Sequence, residues 1–200
     1  MRAMILLLAL VSLPAMAGKA CVECHAGAAE RSYALSKHGV IARIEAGRQR
    51  QRVPRCEICH EFEAKAPAPQ HYVNAKARDQ ARQQAASACG GCHSPRYATE
   101  QFAAAQRTQA IGDMKLREAE AAAAAAGKEL NREALSRIEK LLATMRGEHL
   151  RDLRLGLAHQ SPDYQWWLGQ AALDGDLLRI KGTLGEARRM QSMTRSAEKQ

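Results

Sequence analysis

Cys21-Val22-Glu23-Cys24-His25, Cys56-Glu57-Ile58-Cys59-His60 and Cys89-Gly90-Gly91-Cys92-His93 account for all six cysteines of this 200-residue chain. Each stretch has the form C-x-x-C-H, the attachment pattern of a c-type haem. The chemistry needs that spacing. Two thiols form thioethers to the two vinyl groups of one haem, and the adjacent histidine is then held under the iron as its proximal ligand. Disulfides would explain the cysteines but not the histidines. Zinc would call for four ligands per metal, with no reason for a histidine directly after each second cysteine. A thioredoxin-like motif would need a strand–helix setting, three times over. The sequence therefore predicts three covalently attached c-type haems, on Cys21, Cys24, Cys56, Cys59, Cys89 and Cys92, with His25, His60 and His93 as proximal ligands.

Composition agrees with a cofactor-filled interior. Only 4% of residues are aromatic, and much of the 46% hydrophobic content is alanine, which buries little area per residue. The formal net charge is +9. Loss of Arg2 with a leader would lower it by one, and six propionates on three haems would lower it by six more. The basic balance thus reads as counter-charge for propionates, not as a nucleic-acid footprint.

Residues 1–17 read as a secretory signal. Met1-Arg2 is positive, Ala3 to Leu13 is apolar, and Ala15-Met16-Ala17 has the small-x-small form of a cleavage site. The apolar run is short for a membrane span, and no other segment could cross a bilayer. The expected location is the periplasm, an oxidising compartment.

Four further histidines are available as distal ligands: His38, His71, His149 and His159. His38 follows His25 by 13 residues and His71 follows His60 by 11, which resembles a loose repeat of haem motif and distal-type histidine. Pairing across units stays open. No histidine follows His93 for more than fifty residues, so the third iron takes its sixth ligand from elsewhere or has none. His149 fits a solvent-facing helical position as well as a ligand position.

Two regions follow the leader. Residues 18–98 are the trihaem-binding region, loop-rich, stapled by haem, with short helices expected over Glu30–Gly39 and Asn74–Ala88. Residues 99–200 are helical. Leu130, Ala134, Leu135, Ile138, Leu141, Leu142, Met145, Leu153 and Leu157 recur at threes and fours. Ala121 to Ala126 has high helix propensity, and Gly127 marks a break or cap. Ser161-Pro162-Asp163 is a helix start, with Ser161 as N-cap and Pro162 at the first helical position. Helices are expected from Asp163 to about Lys181 and from Leu184 onward. Met114, Met145, Met190 and Met193 read as core filler. Leu153, Leu157, Trp166 and Trp167 are expected to pack on a haem or a partner subunit. The fold class is mostly α: a haem-stapled N-terminal region followed by long C-terminal helices, which complete the haem domain or serve as an oligomerisation arm.

Three stretches resemble the hydroxylamine oxidoreductase and octahaem cytochrome family, specifically its C-terminal part. They are Ala34-Leu35-Ser36-Lys37-His38-Gly39-Val40-Ile41, Cys89-Gly90-Gly91-Cys92-His93-Ser94-Pro95-Arg96 and His159-Gln160-Ser161-Pro162-Asp163-Tyr164-Gln165-Trp166-Trp167-Leu168-Gly169. The resemblance implies that His159, the histidine before the Pro-Asp-Tyr segment, is an axial ligand, which ranks it above His149. It also implies a largely helical fold with bis-histidine haems in close stacks. The catalytic members carry eight haems, one with an open position, whereas this chain has three motifs. Hydroxylamine oxidation is therefore not carried over.

These readings lead to an exported trihaem cytochrome c that carries electrons between periplasmic redox partner proteins, an electron-transfer protein before a catalytic one. The alternative is a multihaem oxidoreductase, or a subunit of one. One open haem would then act on a small nitrogen or sulfur compound or on peroxide. Partners include another multihaem subunit or a second copy docked through the C-terminal helices.

Overall fold

The apolar threes and fours between Leu130 and Leu157 fold as one rod, and two more rods pack along it. The computed structural model describes residues 21–22, 25–46, 52–60, 83, 86–127 and 130–197. It is mostly helical, 86% helix, with no strand among the described residues. In the N-terminal region lie α1 (Ala28–Ala34), α2 (Lys37–Ile44) and α3 (Cys56–His60). The C-terminal region holds α4 (Pro95–Ala126), α5 (Arg132–Thr144), α6 (Leu150–Ala158), α7 (Pro162–Tyr164) and α8 (Ala171–Ala197). π-Helical turns join α5 to α6 (Met145–His149) and α7 to α8 (Gln165–Gln170).

Side-chain pairs fix the directions. Arg146 meets Glu120 at 2.7 Å and Arg154 meets Asp113 at 3.2 Å, so the α5–α6 rod runs antiparallel to α4. Lys115 meets Asp174 at 2.7 Å, and Lys181 meets Glu118, so α8 runs parallel to α4. The result is an up–down–up bundle. Its core is aliphatic: Ile138, Leu142, Met145, Leu150, Leu153, Leu157, Leu173, Leu177, Ile180 and Leu184, with Ala119 and Ala126 from α4. Small alanines on α4 let the other two rods approach, so the bundle fills its interior with few aromatics. Leu153 and Leu157 belong to this core, which corrects the expectation that they pack on a haem or a partner. Trp166 and Trp167 stand exposed on the second π turn.

Several local readings need adjustment. The helix expected over Glu30–Gly39 is two helices. The chain turns at Leu35, and Ser36 caps α2 by accepting from the Gly39 N–H at 3.1 Å. A Cβ on Gly39 would lie 2.8 Å from Ala34 Cα, so this turn requires glycine. Residues 74–82, in the second expected short helix, lie outside the described residues, and 86–90 are helical. The composition shift placed at Thr99 falls inside α4, which starts at Pro95 behind the capping residue Ser94. Gly127 ends α4 as read. Pro162 opens α7 as read, but Ser161 makes no capping hydrogen bond. The last helix does not break before Leu184: α8 runs unbroken from Ala171 to Ala197, with Thr183 and Leu184 buried. Of the methionines, Met145 is core, while Met114, Met190 and Met193 are exposed. Among the described residues, no helix is long and apolar enough to cross a membrane.

The α6–α7 corner matters most for the site. Ser161 N–H donates to the Gly156 carbonyl at 2.8 Å and Gln160 N–H to the Leu157 carbonyl at 3.3 Å. Gln160 has φ 53°. This is a Schellman ending, with His159 as the C-cap of α6 and Gln160 in the left-handed conformation. A non-glycine residue there costs about 1 kcal/mol. Gln160→Gly should therefore raise Tm by about 2 °C in a thermal melt, the gain reduced by loss of the Gln160 side-chain bond to Leu157 O. Glycine also lets the strands of the corner close up. A Cβ on Gly156 would sit 2.6 Å from Gln165 N.

Candidate metal centre

The corner ends at His159, and the haem-motif region docks against it. Helix α1 packs on α6. Tyr33 on α1 donates through its hydroxyl to the Pro54 carbonyl at 2.8 Å, which ties α1 to the segment leading into α3. His60 closes α3. In this arrangement the His60 and His159 rings come together edge-on, with centroids 6.4 Å apart and planes at 78°. Tyr33 meets the His159 ring edge-on at 6.1 Å.

A second pair forms elsewhere. His38 sits in the first turn of α2. His93 follows a tight turn in which its N–H donates to the Cys89 carbonyl at 2.8 Å. Their centroids are 6.1 Å apart with planes at 47°. Tyr97, one turn into α4, stacks on His93 at 4.7 Å and 23°.

Two imidazoles that ligate one iron from opposite sides have centroids roughly 6 to 6.5 Å apart. This follows from metal–nitrogen bonds of about 2 Å and ring nitrogens about 1.2 Å from their centroids. Both pairs have that spacing, and each joins a motif histidine to a histidine outside the motifs. The donor set fits a haem. Closed cages have a different pattern, and among the described residues no three or more His, Cys, Asp or Glu side chains converge as a metal-holding group.

Electrostatics favour the neutral form of His159, His60 and His38. Burial pushes the His159 pKa down to about 4, helped by the neighbouring His60. Burial, then His25, lowers His60. Burial, then His93, lowers His38. A neutral imidazole offers the lone pair that a metal needs. Burial raises the Cys59 thiol, and the nearby Cys89 and Cys56 raise it further.

Not every sequence candidate is at these pairs. His71 and Cys24 lie outside the described residues, as does the leader, residues 1–17. His149 sits in the bundle on the first π turn, its Nδ1 2.8 Å from Asp176 Oδ2. Asp176 is 1% exposed and also pairs with Arg179. Two residues escaped the sequence reading. Asp176 shares a helical face with Leu173, Leu177 and Ile180, so a charge among core positions was the available signal. Ser32, fully buried on α1, hydrogen-bonds His159, and nothing in its neighbourhood of sequence marks it.

No family model matches this chain, and no curated protein matches it.

Proposed function

We propose that the chain is a trihaem c-type cytochrome of the periplasm that carries electrons between redox partner proteins. The observation that supports this reading is the spacing of two imidazole pairs, His60–His159 at 6.4 Å and His38–His93 at 6.1 Å between centroids, each with one histidine of a C-x-x-C-H motif. Cys56 and Cys59 would hold the haem between His60 and His159. Cys89 and Cys92 would hold the haem between His93 and His38. Cys21, Cys24 and His25 would hold the third. The haem supplies reversible one-electron chemistry at iron. His60 with His159, and His38 with His93, would hold two of the irons from both sides and leave no position there for substrate, which suits outer-sphere transfer.

Intact mass and absorption spectra of the holoprotein test the reading. The expected mass excess is three haems of roughly 0.6 kDa each. The spectra of both redox states should be low-spin at the His60–His159 and His38–His93 haems. Fewer than three covalent haems would overturn the proposal. Carbon monoxide uptake by a third of the haem in the unmodified protein would favour a multihaem oxidoreductase with one open iron.

A further inference from the structure

We propose that Ser32 is a positioning residue for His159, fixing which ring nitrogen faces the iron. This rests on the haem reading above. The Ser32 hydroxyl donates to the Ala29 carbonyl at 3.0 Å. A carbonyl oxygen can only accept, so the assignment that satisfies both contacts has the hydroxyl donating to Ala29 and its oxygen accepting from His159 Nδ1. Nδ1 therefore carries the ring proton, and Nε2 carries the lone pair. That is the tautomer a ligand bonding through Nε2 requires.

The arrangement is rigid at both ends. Ser32 is fully buried, on a helix anchored through Tyr33 to Pro54. His159 is held by the Schellman corner. Helix α1 therefore touches both sides of one haem site: Ser32 addresses the distal ring, and the adjacent Tyr33 holds the segment leading to the proximal one. A hydrogen bond to the remote N–H of a ligating imidazole raises its basicity, and its loss typically weakens metal binding by about 10- to 100-fold. A more basic ligand favours ferric iron. Removing the acceptor should weaken ferric binding more than ferrous binding.

The experiment uses the full-length holoprotein and compares Ser32→Ala, Ser32→Thr and Asn131→Ala. Asn131 caps α5 at the opposite end of the bundle, accepting from the Ala134 N–H at 2.8 Å, so its variant lowers stability without touching a haem. Ser32→Ala should keep three covalent haems by mass. One haem should shift to higher midpoint potential, by about 59 mV for each tenfold preferential loss of ferric affinity, and should gain high-spin character and carbon monoxide uptake. Ser32→Thr, which keeps the hydroxyl, should restore the parent potential. Asn131→Ala should lower Tm with potentials unchanged. If Ser32→Ala does not accumulate, Ser32→Cys, nearly isosteric and a weaker acceptor, should show an intermediate shift. Three haems with unchanged potentials and spin state in Ser32→Ala, or in Ser32→Cys where that variant is used, would overturn the role of Ser32 and leave the haem reading standing. Absence of haem from the parent protein would overturn both.

Discussion

Replacing His159 with glycine should open one iron and leave the other two as they are in the parent protein. The ring pairs with His60 at 6.4 Å between centroids, and the thioethers of that haem would be made by Cys56 and Cys59, which the substitution does not touch. Haem content by mass should therefore stay at three. Relative to the parent protein, about a third of the haem should become high-spin in the ferric state and bind carbon monoxide in the ferrous state. Added imidazole should reverse both changes, because the vacated position is the size of the missing ring. His149→Gly provides the contrast. Its ring lies within the bundle, Nδ1 2.8 Å from Asp176 Oδ2, and its loss should leave carbon monoxide uptake at the parent level. An unchanged spectrum in His159→Gly would exclude the pairing with His60.

Leu153→Ala should be the most damaging single truncation in the bundle. Leu153 is fully buried where all three rods meet. A Cβ on Gly169 would lie 2.8 Å from Leu153 Cα, and one on Gly112 would overlap Leu153 Cδ2. Both glycines are already at close approach and have no side chain with which to fill a gap. The hole left by the isobutyl group would persist, and truncations of this kind cost about 3–4 kcal/mol when the site cannot collapse. For a chain of this size that is a fall of about 10 °C in Tm, readable from the loss of helical circular dichroism on heating. Leu178→Ala, at an exposed position on the same helix as Leu173, should change Tm by no more than a degree or two. Equal effects of the two substitutions would contradict the packing described here.

The parts of this structure that could be read from the sequence are those set by local chemistry. The three C-x-x-C-H motifs, the end of α4 at Gly127, the proline start of α7 and the core positions from Ile138 to Leu157 depend on residues within a few positions of one another. The split between α1 and α2 was missed because Ser36 has no acidic residue three positions on to signal a capping box. It caps through the Gly39 N–H alone. The continuity of α8 through Gly182 and Gly185 was missed for the opposite reason. Burial of Thr183 and Leu184 against the other rods outweighs a local cost of about 1 kcal/mol per glycine. The exposed methionines Met190 and Met193 follow helical spacing on a stretch of α8 that no other rod covers, so periodicity alone gave a false core.

The histidine pairs were beyond local reasoning. A repeat of motif and following histidine placed His38 near His25 along the chain, yet the structure brings it to His93. His159 was singled out by a family resemblance and its partner was not. Which rings meet depends on α1 docking on α6 and on the corner at Gln160, both set by tertiary packing.

That long-range pairing has a mechanical side. An iron held between His60 and His159 would be a cross-link closing a loop of roughly 100 residues, and in the chain-entropy treatment of such closures a link of that span removes about 4–5 kcal/mol of freedom from the unfolded chain. The distal bond would then act as a reversible staple between the two halves of the molecule. Resistance to denaturant should depend on oxidation state and on competing ligands, since either can loosen the staple without altering a residue.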